Sequence, residues 1–162
     1  MRDFFVAVMV AGLMSSPALA ADAPRFDNPR DLLETVYEQI EAQDWDSDSH
    51  FDERDLFSAS LKAQLADADQ EQIAQGNEMG ALDFSPFIDG QDAGGMKFEI
   101  GEPDIRGNRA VAEVRILNSD DWLLYFDLID EKKAGWKVAD IMASRDGQKS
   151  WQLTELLADP SL

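Results

Sequence analysis

From Asn28 onward the apolar positions Leu32, Leu33, Val36, Tyr37 and Ile40 recur at helical spacing and fall on one stripe. Asn28 supplies a capping side chain, and Pro29 suits the first turn, where its missing N–H costs nothing. The spacing predicts a helix to about Gln43. Leu56, Phe57, Leu61 and Leu65 begin a second helical stretch that breaks near Asp67 and stops before Gly76. From Met96 the period shortens to two. The runs MKFEIGEP, RAVAEVRIL, WLLYFDLID and GWKVADIMA alternate apolar with polar residues, and turn-rich segments separate them. Ala112, Val114 and Ile116 share one face, while Glu113 and Arg115 share the other. A last helix is predicted from Ser150 through Trp151, Leu153, Leu156 and Leu157.

Helices followed by antiparallel strands define an α+β fold: N-terminal helices packed in a curved antiparallel sheet of about four strands, with a short C-terminal helix. A sheet that curls round the first helix makes a cone with a pocket at its open end. Trp122, Tyr125, Trp136 and the aromatic residues of the 77–95 loop are its expected wall.

The start of the chain has a different texture. MRDFFVAVMVAGLMSSPALA has a charged start, an apolar run from Phe4 to Met14 and a small-residue cleavage site at Ala18–Ala20. Residues 1–20 are therefore expected to be a signal peptide, residues 21–27 a flexible N-terminus and residues 28–162 one domain. The apolar run falls short of the roughly 20 residues that span a bilayer. No cysteine occurs, which leaves neither a lipid-acceptor thiol nor a disulfide framework. The expected location is the periplasm.

Charge narrows the partners. The sequence carries 33 acidic against 14 basic residues, a formal charge of −19. That field repels phosphate backbones and anionic lipid surfaces, which argues against nucleic acid and membrane binding. Basic proteins and cations are the electrostatically suited partners, although acidity also serves solubility alone.

Three places carry candidate chemistry. In DWDSDSHFDERD, Asp44, Asp46, Asp48, Asp52 and Asp55 stand at the oxygen-ligand positions of a helix–loop–helix calcium loop. Ser49 replaces the glycine of that motif and Asp55 its bidentate glutamate, so the competing reading is an acidic linker that caps the next helix. His50 is the one histidine in the chain, which rules out multi-histidine zinc sites and routes any histidine-dependent nucleophile through this position. Tyr125 and Asp127 could form an acid/base pair if they share a pocket; otherwise Tyr125 completes the core while Asp127 and Asp140 face water. The stretch LDFSPFIDGQD interleaves Asp83, Gln91 and Asp92 with Phe84 and Phe87. Pro86 stiffens it, so it reads as a packed loop in which polar side chains satisfy the backbone.

At this loop the chain resembles the exported bacterial domain-of-unknown-function family 3828. The resemblance rests on Leu82-Asp83-Phe84-Ser85-Pro86-Phe87, then Gln91-Asp92, and on the terminal strand Gly135-Trp136-Lys137-Val138-Ala139-Asp140-Ile141. Ser85 departs from the second aspartate of the family signature. A first helix with a central Tyr37 extends the similarity. The resemblance implies a cystatin-like cone similar to nuclear transport factor two, and no activity.

The expected function is non-catalytic binding of a small apolar ligand or a basic periplasmic protein. Tyr37, Asp83, Phe84, Phe87, Gln91, Asp92 and Trp136 are the candidate pocket or loop residues. The alternatives are a lyase or isomerase using Tyr125 and Asp127, and weak calcium binding by the Asp44–Asp55 loop.

Overall fold

The computed structural model describes residues 24–42, 52–77, 80–117 and 121–159. Helix α1 spans Pro29–Ala42, and the Asn28 carboxamide accepts the Arg30 amide at 2.8 Å. Its predicted stripe is buried, with Leu32 and Leu33 fully so. Residues Glu53–Leu56 form a single 3-10 turn before helix α2, Ala59–Ala74, whose N-cap Ser58 accepts the Leu61 amide at 3.2 Å. Leu56 and Phe57 therefore precede α2 rather than open it. Phe57 pairs with Val138 in an isolated parallel bridge, and the Ser58 amide donates to the Val138 carbonyl at 2.8 Å. The break predicted near Asp67 is absent. Asp67 points to water and alanines flank it, so nothing opposes continuation.

The antiparallel sheet has six strands: β1 Phe98–Ile100, β2 Asp104–Arg106, β3 Arg109–Ile116, β4 Trp122–Asp130, β5 Trp136–Arg145 and β6 Gln148–Gln152. Their order is β1-β3-β4-β5-β6, and β2 also pairs with β3. Two features raise the number above four. Pro103, which lacks an N–H, separates β1 from β2 on the same partner. At the other end Asp146 and Gly147 both adopt positive φ and turn the chain in two residues, pairing Arg145 with Gln148. Ser150 and Trp151 thus lie in β6, and the last helix, α3, is confined to Leu153–Ala158.

Alternation holds along the central strands. Ala110, Ala112, Val114 and Ile116 of β3 and Leu124, Phe126 and Leu128 of β4 face inward and join one buried cluster with apolar side chains of α1, α2 and α3. Irregular registers interrupt the β4–β5 ladder after Asp127 and the β5–β6 ladder after Ala143. Such bulges bend and twist a strand locally. Before α1, the Phe26 carbonyl accepts the Trp136 amide at 2.8 Å. A Cβ on Gly135, whose φ is 74°, would run into that carbonyl, so this position takes glycine for both reasons. Among the described residues no helix is long and apolar enough to cross a membrane.

Candidate functional site

The loop after α2 decides what the sheet encloses. Phe87 is fully buried, stacks on Phe57 at 5.9 Å between ring centroids, and lies 5.6 Å from Phe126. The Tyr37 hydroxyl, buried beneath it, donates to the Phe87 carbonyl at 2.8 Å. Burial, and then the charge of Glu53, pushes the Tyr37 phenol well above its ordinary value. Phe87 is thus a core residue carried by the loop.

Polar groups fasten the same loop from several sides. The Asp89 carboxylate, 10 % exposed, accepts Trp151 Nε1 at 2.6 Å, Trp122 Nε1 at 3.0 Å and Arg145 at 2.8 Å. Arg145 also lies 4.2 Å over the Trp122 ring, and Phe84 meets Trp151 edge-on. Ser85 donates to Glu53 at 2.7 Å, Gln91 donates to the Asp83 carbonyl at 3.0 Å, and Asp92 accepts the Gly94 amide at 2.8 Å. Asp83 itself is exposed. Sequence reasoning named Phe84, Phe87, Gln91 and Asp92 but missed Asp89, Arg145 and the indoles as a cluster. The signal was there in outline: two tryptophans in a folded chain each need an acceptor for an N–H.

Beside this loop lies an open cleft of about 450 Å³ lined by Asp52, Glu53, Arg54, Phe57, Leu65, Leu82, Phe84 and Pro86. Its floor is apolar, because the 3-10 turn and α2 turn Phe57 and Leu65 toward the loop. Its rim is acidic. Asp52 caps the 3-10 turn by accepting the Arg54 amide at 2.9 Å, and Arg54 reaches Asp69 at 3.3 Å. Asp69 in turn accepts the Ala81 amide at 2.8 Å, which ties the start of the loop to α2.

The remaining sequence candidates are dispersed. Trp136 is buried at the start of β5. Tyr125 and Asp127 lie two residues apart on β4 and share the sheet face opposite the core. Asp127 pairs with Arg109 at 3.1 Å, and partial burial followed by Glu113 raises the Tyr125 phenol. A shallow depression of about 140 Å³ collects Tyr125, Asp127, Asp140, Met142 and Gln152 there. Asp140 is spent on structure. It accepts the Thr154 amide at 3.1 Å, the Thr154 hydroxyl at 2.8 Å and Gln152 Nε2 at 2.6 Å, so it caps α3 from the neighbouring strand.

Of the acidic loop, Asp44, Asp46, Asp48 and His50 lie outside the described residues. Asp55 pairs with Lys62 at 3.4 Å. Among the described residues no cluster of three metal-ligating side chains forms.

No protein-family model matches the chain, and neither a curated protein nor a solved structure matches it.

Proposed function

We propose that the protein is an exported binding module that captures a basic protein through the cleft between α2 and the aromatic loop. The observation that carries this reading is the pairing of an apolar floor, Phe57, Leu65, Leu82, Phe84 and Pro86, with carboxylates at Asp52 and Glu53. An apolar side chain flanked by lysine or arginine meets both. The formal charge of −19 would steer such a partner in and suppress acidic competitors.

The resemblance to the domain-of-unknown-function family 3828, the cone-like curvature of the sheet and a periplasmic location belong to the same proposal. The leader-like first twenty residues, the antiparallel sheet with helices on one face, and its two irregular registers support it. The acid/base reading has less support, since Asp127 is engaged by Arg109 on the outer face. Calcium uptake by Asp44–Asp55 is a separate proposal, decided by calorimetric titration with calcium before and after Asp44→Ala.

The cleft reading is tested with a synthetic peptide of alternating lysine and phenylalanine. Leu82→Asp should weaken its binding at least tenfold and Glu53→Gln should weaken it less. Unchanged affinity in Leu82→Asp would refute the cleft. A second reading, a small apolar ligand on the same floor, is favoured instead if a neutral aromatic probe binds with no dependence on salt while the peptide does not bind.

A further inference from the structure

The described residues hold 13 lysines and arginines, all of the 14 in the sequence except Arg2. Most are spread over the surface in pairs with carboxylates, as an acidic protein requires. One place breaks the pattern. A second cleft of about 510 Å³ shares Phe57 with the first and is lined by Arg25, Phe57, Ala59, Lys62, Glu131, Lys133, Ala134 and Lys137. Four cations from three separate segments line it; Asp55 and Asp27 pair with two of them, and the one carboxylate in the lining itself is Glu131.

That carboxylate is already engaged, because Glu131 accepts the Ala59 amide at the start of α2 at 2.9 Å. Lys137 is 5 % exposed, an uncommon position for a lysine. Its ammonium donates to the Asp55 carbonyl at 2.9 Å and to the Pro24 carbonyl at 3.2 Å, which are neutral acceptors and cancel none of its charge. Lys62 and Arg25 meet carboxylates at 3.4 Å and 2.6 Å, the first pair half-buried and the second exposed. Lys133, exposed, forms no ion pair among the described residues. A buried cation placed beside further cations in a concave site costs free energy unless a counter-charge enters.

We infer that this cleft is an anion site that takes the oxyanion head of a small molecule, a carboxylate or a phosphate, between Lys62, Lys133 and Lys137. Phe57, Ala59 and Ala134 leave an apolar wall for whatever the head group carries. The electrostatics of the site agree with that geometry. The Lys137 ammonium is held below its ordinary value by burial first and by the charge of Lys62 next, with Asp55 and Glu131 opposing, and an anion between the two lysines would offset both lowering effects. The site is independent of the proposed protein-binding cleft: it has the opposite charge and shares only Phe57 with it.

The test is a backbone amide NMR titration of the full domain with inorganic phosphate and, separately, with hexanoate, each against sodium chloride at equal ionic strength. Saturable shifts at Ala59, Lys62, Lys133 and Lys137 are expected with one or both anions. Phosphate alone marks a phosphate head group, and hexanoate alone a carboxylate with an apolar tail. The double variant Lys62→Ala/Lys133→Ala removes two surface side chains and should weaken binding at least tenfold, while its spectrum elsewhere keeps the wild-type dispersion. Lys137→Met should abolish binding. Shifts matched by chloride, the absence of saturation with both anions, or wild-type affinity in the double variant would each overturn the site.

Discussion

Single side chains hold the aromatic loop in place, and two of them yield direct predictions. Tyr37→Phe strands the buried Phe87 carbonyl and should cost about 1–2 kcal/mol of stability. The pH dependence is more specific. Because the folded phenol lies above its ordinary value of 10.0, its contribution is fully present below pH 10.0, where both states are protonated. It is lost as the pH rises, since the unfolded chain deprotonates first. The stability difference between wild type and Tyr37→Phe should therefore shrink above pH 10.0, as urea titrations at several pH values would show; a pH-independent difference would contradict the buried position. Asp89 sits at a φ of 49°, a conformation that aspartate and asparagine tolerate better than most residues. Asp89→Asn keeps that tolerance while removing the charge that two indoles and Arg145 share, and should cost about 2 kcal/mol, with changed tryptophan fluorescence.

At the scale of elements, α3 is a six-residue helix with no side-chain bond from its own N-cap, Gln152. Its start is satisfied from β5 by Asp140. Asp140→Ala should cost about 1–2 kcal/mol and raise hydrogen exchange at the amides of Thr154–Leu157 more than in β3. Uniform loss of protection would show that Asp140 supports the sheet as a whole instead. Elements are also where the sequence was most and least legible. The stripe of α1 and the alternation of β3 and β4 were plain, because each buries one face of a regular period. The first half of β6 was not: Gln148, Lys149 and Ser150 are an exposed edge with no apolar alternation to read. Phe57 was misplaced for another reason. Its spacing suits a helix, and only the partner Val138, 81 positions later, shows it to be a bridge residue. The Asp89 cluster was invisible for the same reason, since it gathers residues from the loop, β4, β5 and β6.

For the whole molecule, the sequence conveyed the α+β class and the acidic field, whereas the sites depend on long-range placement. Phe87 packs into the interior, and the two proposed binding sites are the surface clefts that Phe57 lines in common. The first sets Asp52, Glu53 and Arg54 around an apolar floor, and the second gathers Arg25, three lysines and Glu131. A protein of this charge attracts any cation weakly; a specific partner must also find the apolar floor.

The most direct check of that claim is a residue-resolved NMR titration with the lysine–phenylalanine peptide at low and physiological salt. The account predicts saturable shifts concentrated at Asp52–Phe57, Leu65 and Leu82–Pro86, weakening with salt but mapping to the same residues at both concentrations. Shifts scattered over acidic positions across the surface, and vanishing at physiological salt, would contradict it.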